Sequence, residues 1–225
     1  MNLQEFISFS RTQLSPIINF NGAVLYSSVK TLTIGNYYIL GLNPGGLPES
    51  GESIESNIDN LPNYFENSYL DEKWDTEKKN YEIGKHPIQR GLSSLFNYLD
   101  YDLRKICSSN LIFYRSRNDR EINLWEDGKL CWPVHEKILN SVNPKIIITI
   151  GNGPKSAFRF LCYKNNISFQ NVKKFKSNHK GYSIKYFSIN INGVEKLILG
   201  LPHLSRYIIA NDDSSLKWIK DKLEM

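Results

Sequence analysis

The run Ile146-Ile147-Ile148-Thr149-Ile150 limits what this chain can fold into more than any other feature. Its five residues are all β-branched, with Asn143-Pro144 before them and Gly151-Asn152-Gly153-Pro154 after. A strand with no polar side has no face to give to water, so it belongs in a parallel sheet covered by helices on both faces. Tyr37-Tyr38-Ile39-Leu40-Gly41-Leu42 has the same character and is stopped by Asn43-Pro44-Gly45-Gly46. Residues 111–114, about 182–189 and 196–201 read as further strands, with Asn110 at the entrance to the first of these. Helical patterns lie between. Leu3, Phe6, Ile7 and Leu14 share an amphipathic face that ends before Ser15-Pro16, and Ile88, Leu92, Leu95, Phe96 and Leu99 follow a helix-opening Pro87. Pro133 opens another helix, a further one covers about 154–161, and Ser214 or Ser215 caps a last one over 216–223. This alternation predicts an α/β fold: a three-layer α/β/α sandwich with a central, mainly parallel sheet.

A chain of 225 residues suits one domain, spanning 1–225. Residues 47–85 are rich in Glu, Ser, Asn, Asp and Tyr with little periodicity, and read as a long surface insertion rather than a second domain. No apolar run approaches the roughly 20 residues needed to span a bilayer, and the N-terminal residues lack an export signal, so a cytoplasmic protein without membrane contact is expected. Cys107, Cys131 and Cys162 are far apart and without a C-x-x-C pair, which argues for free thiols and against a thiolate metal site. His86 and His135 have no second ligand at metal-binding spacing. The net charge of +5 suits a polyanionic partner without requiring one. Gly151-Asn152-Gly153-Pro154-Lys155-Ser156 fails the spacing of a phosphate loop, and its proline removes an N–H such a loop needs.

In open α/β sheets ligands bind beyond the carboxyl ends of the strands, which directs attention to Asn43, Asn110 and His203. Taken singly, each has an ordinary explanation as a turn former, a loop bridge or a surface histidine. Together they form a pattern. Gly41-Leu42-Asn43-Pro44-Gly45 is similar to the first motif of the uracil-DNA glycosylase superfamily, in its Gly-x-Asn-Pro-Gly branch, and Pro202-His203-Leu204-Ser205-Arg206 resembles its second motif. Ser109-Asn110-Leu111-Ile112 resembles the middle strand that carries a base-reading Asn, and 144–151 the Pro-Lys-hydrophobic-Gly strand. The resemblance runs from about residue 41 to 207. It departs where many members have His-Pro-Ser, since here proline precedes the histidine and Leu204 follows it, and in the additional segment 47–85.

The resemblance implies a monofunctional DNA glycosylase, monomeric and without a cofactor or metal, acting on DNA that contains a deaminated or modified pyrimidine and leaving an abasic site. Asn43 then positions a water, His203 stabilises the departing base and Asn110 reads its edge, with Gly45 and Gly46 shaping the base pocket. The chemistry of these side chains fits: an amide oxygen holds water, an imidazole N–H donates to a carbonyl, and an amide both donates and accepts. Because no bulky side chain stands at Gly45-Gly46, the pocket has room for uracil or for a bulky modified cytosine, such as the glucosylated cytosines of some phage DNA, unless Tyr64, Phe65 or Tyr69 folds back to close it. Contacts to DNA are assigned to Ser205, Arg206 and Tyr207 as a wedge, to Arg115 and Arg117, and to Lys173, Lys174 and Lys176, which with His179 and Lys180 interleave with Phe175 and Tyr182. Arg115, Ser116 and Arg117, just past the second predicted strand, could hold DNA phosphates or simply pair with Asp119 and Glu121, and the lysines have an alternative as a solvated loop. The alternatives in function are a catalytically inactive module of the same fold that binds nucleic acid or a nucleotide, and an enzyme of free nucleosides.

Overall fold

The β-branched run forms strand β3 (Ile146–Ile150), buried at every position, and pairs in parallel with β1 (Tyr37–Gly41). The computed structural model describes residues 2–76, 79–179, 181–191 and 193–224. On the other side of β1 lies β2 (Cys107–Asn110), and β6 (Val194–Leu201) adds in parallel to β3. An antiparallel pair, β5 (Ser183–Ile191) and β4 (Lys173–Lys176), completes a mixed six-stranded sheet in the order β2-β1-β3-β6-β5-β4.

Alternating side chains feed two separate hydrophobic clusters, which is how a doubly covered sheet is built. Tyr38, Leu40, Ile147 and Ile198 face one way, onto α1 (Leu3–Gln13), α2 (Ile54–Asn60), α4 (Leu124–Val142) and α5 (Ala157–Lys164). Ile39, Ile146, Ile148, Ile150, Leu199 and Leu201 face the other, onto α3 (Pro87–Tyr98) and α6 (Asp213–Glu224). The α/β architecture with helices on both faces is as expected, and the three cysteines are buried and free. Among the described residues no helix is long and apolar enough to cross a membrane.

Several elements differ from the sequence reading. The second strand is Cys107–Asn110 rather than 111–114, so Asn110 stands at its exit. Its polar residues are satisfied by the segment that covers its outer edge: Tyr26 N–H donates to Ser108 O (2.9 Å), Ser108 N–H to Ser27 Oγ (2.9 Å) and Ser109 Oγ to Val24 O (2.6 Å). Pro133 does not open a helix but lies inside α4, which starts at the Asn123 cap. A proline costs such a helix about 3 kcal/mol, and burial of Leu124, Cys131 and Trp132 on one side of it and Val134, Ile138 and Leu139 on the other outweighs this. The helix placed at 154–161 begins after the Ser156 cap, and Asp212 rather than a serine caps α6 by accepting from Ser215 N–H (3.1 Å). Lys173–Lys176 form an edge strand, where exposed lysines discourage pairing with another chain. Finally, the 47–85 insertion is anchored into the body: Ile54, Ile58, Leu61 and Tyr69 are buried.

The interior histidine of α4 ties three elements together. His135 Nε2–H donates to Leu111 O (3.0 Å), so its Nδ1 is free to accept from the Tyr38 hydroxyl (2.8 Å). Burial lowers its pKa to about 4, and the imidazole is neutral in the folded protein. An unfolded chain takes up a proton near pH 6.5 that the folded chain refuses, so stability is full above that value and falls as pH drops towards 4, by up to roughly 3 kcal/mol. Urea unfolding measured from pH 7.5 to 4.5 should show this decline, and His135→Gln should be less stable at pH 7.5 but show a shallower decline. An equal slope in the variant would remove His135 from the acid response.

Candidate active site at the strand ends

The chain passes from β1 outwards to β2 and then crosses to β3 on the opposite side, so the crossover connections diverge between β1 and β3. That divergence opens a crevice at the carboxyl ends of the parallel strands. The register sets its floor, since Gly41 is level with Asn110, Leu40 with Thr149, and Ile150 with Leu201. Asn110 and His203 follow the outer strands of this set, β2 and β6, about 14 Å apart across three strand spacings.

Two glycines let these outer residues lean inwards. A Cβ on Gly41 would stand 1.9 Å from Asn110 Oδ1, so the Asn110 amide lies across the end of β1. Gly151, at φ +99°, ends β3, and a Cβ there would meet His203 Cδ2 at 3.6 Å. Asn110 therefore reaches in from one side and His203 from the other, and Asn43 follows β1 between them. The crevice is recognised by these convergent polar groups rather than by volume. Open cavities of about 530 Å³ beside Tyr81 and Arg90 and of about 340 Å³ between Phe20, Pro48 and Arg115 are lined by none of the three.

Each of the three side chains has a defined orientation. Asn43 Nδ2 donates to Pro44 O (2.9 Å) and to Ser116 Oγ (2.8 Å), which leaves Oδ1 unengaged among the described residues. Asn110 is 6% exposed, and its side chain lies near the Tyr26 hydroxyl, which burial keeps protonated. His203 Nδ1 lies 2.7 Å from Ser205 Oγ and accepts from Ser205 N–H (3.4 Å), so a neutral ring carries its proton on Nε2. Although the residue is exposed, partial desolvation of the ring and the charges of Arg206 and His86 lower its pKa, which favours the neutral form. The arrangement offers one free amide oxygen, one two-way amide and one neutral N–H donor.

The insertion supplies a wall that sequence reasoning left undefined. Glu72 accepts from Tyr64 OH (3.1 Å), Ser68 Oγ (2.7 Å) and Trp74 Nε1 (3.2 Å), and Gln89 Nε2 donates to Ser68 O and Glu72 O (2.8 and 2.9 Å). Trp74, thus fixed, packs on Tyr26 and Tyr69 and on His86, with ring centroids 6.3, 5.4 and 5.5 Å away. The segment does fold back, through Tyr69 and Trp74 against the tyrosine beside Asn110, while Phe65 stays 55% exposed. At Gly45 nothing closes in, because a Cβ there would meet no atom within 4 Å, and Gly46 faces Arg115 Nη1.

The residues assigned to DNA contacts divide. Arg206 and Ser205 are exposed beside His203. Tyr207 is not available to stack: it is fully buried, its hydroxyl donating to Asp212 (2.9 Å) and its ring packed on His179 and Tyr182. Ile208, 53% exposed, is the apolar residue this loop presents instead. Nothing in Tyr207-Ile208-Ile209 distinguishes the exposed residue from its buried neighbours. Arg115 pairs with neither Asp119 nor Glu121; Nη1 donates to Gly45 O (2.7 Å) and its Nε is buried and unpaired. The Arg117 guanidinium binds Glu49 (2.7 Å), an exposed pair worth little, and its backbone N–H donates to Glu121. Lys173, Lys174 and Lys176 are exposed on β4, whose Lys176 end points to the same side as the crevice, with Lys173 about 10 Å further back. Lys180 lies outside the described residues.

No family model and no curated protein matches this chain. Its chemistry is therefore argued from the crevice itself. Removing the positive charge beside His203 should ease its protonation: in an NMR pH titration His203 should titrate below the ordinary histidine value of about 6.5, and Arg206→Ala should move it upwards. A titration unchanged by Arg206→Ala would separate the two side chains.

Proposed function

We propose that this protein is a DNA glycosylase that hydrolyses the N-glycosidic bond of a flipped-out deaminated or modified pyrimidine, uracil or a bulky modified cytosine, and leaves an abasic site. The observation that carries the reading is the orientation of Asn43, whose amide nitrogen is fully used by Pro44 O and Ser116 Oγ, which leaves its oxygen without a partner among the described residues at the end of β1, between the strand that carries Asn110 and the strand that leads to His203. The motif resemblance to the uracil-DNA glycosylase superfamily points the same way.

In this reaction Asn43 Oδ1 accepts from a water and aims its oxygen at C1′ of the sugar. The water oxygen bonds to C1′ as the C1′–N bond breaks, the bonding pair leaves with the base as an anion, the attacking water gives up one proton to solvent, and the released base takes one proton from solvent. His203 Nε2–H donates to the base carbonyl on which negative charge develops, and such a donor is worth about 2.7–4 kcal/mol once bound DNA excludes water from it. Asn110 pairs with the base edge through its amide, which suits a carbonyl or an amine according to its rotation. The open Gly45 side supports a base with a large substituent. Extrusion of a base costs a few kcal/mol, and Ile208 is the apolar side chain placed to fill the gap, with Arg206 on a phosphate.

Duplex oligonucleotides carrying uracil or glucosylated hydroxymethylcytosine, incubated with the protein and then treated with alkali, should break at the modified position. Asn43→Ala should abolish breakage while DNA affinity persists, and His203→Ala should slow single-turnover release about 10²–10³-fold. Ile208→Ala should lose more activity on duplex than on single strands. Retention of DNA with no alkali-labile site for either base would favour the binding module, and base release from free nucleosides with little salt dependence would favour a nucleoside hydrolase.

A further inference from the structure

The segment leaving β2 grips the Asn43 turn at consecutive points. Arg115 Nη1 donates to Gly45 O (2.7 Å), Ser116 N–H to Pro44 O (3.3 Å), and Ser116 Oγ accepts from Asn43 Nδ2 (2.8 Å). Ser116 is 3% exposed, so its own side of these contacts is shielded from water. A hydroxyl has a single proton, and that of Ser116 is committed to Asn118 O at 2.9 Å. A carbonyl only accepts, so the Ser116 oxygen faces Asn43 as an acceptor and selects the amide NH₂. The Pro44 carbonyl makes the same demand. Asn118 is itself fixed, its side chain oxygen accepting from Arg120 N–H (2.9 Å) and its carbonyl from Glu121 N–H (3.3 Å).

We infer that Ser116 is a positioning residue that dictates which way the Asn43 amide is turned, keeping its oxygen, and not its nitrogen, towards the crevice. An amide turned over would present two N–H donors, which cannot hold a nucleophilic water by its protons. The chain Asn118 carbonyl, Ser116 hydroxyl, Asn43 amide thus transmits the polarity of a backbone group to the reacting position. The role in catalysis rests on the proposed glycosylase reading, whereas the orientation of the amide does not.

Ser116→Ala should slow single-turnover base release about tenfold, the loss of one buried hydrogen bond, with DNA affinity unchanged, and Ser116→Thr should restore most of the rate. An unchanged rate in Ser116→Ala, or a rate that Ser116→Thr does not restore, overturns the inference. A second readout needs no activity: the side-chain amide protons of Asn43, followed by ¹⁵N NMR, should shift and exchange faster with water in Ser116→Ala and return in Ser116→Thr. If the unmodified protein releases no base from any duplex, the glycosylase reading fails while the amide resonances still decide the orientation, and resonances indifferent to Ser116→Ala overturn it.

Discussion

The close approach of the Asn110 amide to Gly41 is the constraint on which the crevice depends. A parallel sheet holds neighbouring strands about 4.8 Å apart, too far for polar groups on β2 and β6 to meet unless side chains lie sideways over the strands between them. They do so only where the strand below ends without a side chain. Gly41 gives that space to Asn110, and Gly151, with its positive φ, gives it to His203. Any larger residue at Gly41 would collide with the amide oxygen at 1.9 Å and push it out.

Once the two outer groups lean inwards, the remainder of the site supports them. Tyr26 lies near Asn110, Ser205 holds His203 in one tautomer, and Ser116 holds the amide of Asn43. Each supporting residue comes from a different loop. The insertion contributes through the aromatic packing of Trp74 on Tyr26 and His86, anchored by the carboxylate of Glu72. In the proposed reaction this division assigns the water, the leaving base and base recognition to three groups whose placement is set before DNA arrives, so little reorganisation is left for the chemical step.

What was legible in the sequence was what periodicity and turn residues encode. The β-branched run at 146–150 and the apolar run at 37–42 became the two central strands because both faces of each are buried, and the first helix followed from apolar spacing and the helix at Pro87 from spacing and its opening proline. Asn43, Asn110 and His203 were singled out because ligands of open α/β sheets bind beyond the carboxyl ends of the strands. The rest had no such code. Cys107–Asn110 looks like a turn because its polar groups are satisfied by residues more than eighty positions earlier. Pro133 misled because local cost was outweighed by burial along α4. Ile54, Ile58 and Leu61 did carry the helical spacing of the insertion, masked by polar neighbours. Tyr207 and Ile208 exchange roles because the buried Asp212, whose carboxylate also accepts from Ser177 and Ser215, claims the tyrosine hydroxyl. Ser116 stood out only as one residue of the Arg115-Ser116-Arg117 stretch, because the two hydrogen bonds of its hydroxyl, to Asn118 O and from Asn43 Nδ2, have no local signature.

The convergence of the three side chains on one base is tested most directly by titrating free uracil into ¹⁵N-labelled protein and following side-chain resonances. The account predicts that the Asn110 amide and the His203 ring nitrogens shift together along one binding curve, with Asn43 responding as well. Shifts at Asn110 without His203, or at neither, would mean that the strand ends do not form one base site and would contradict the account.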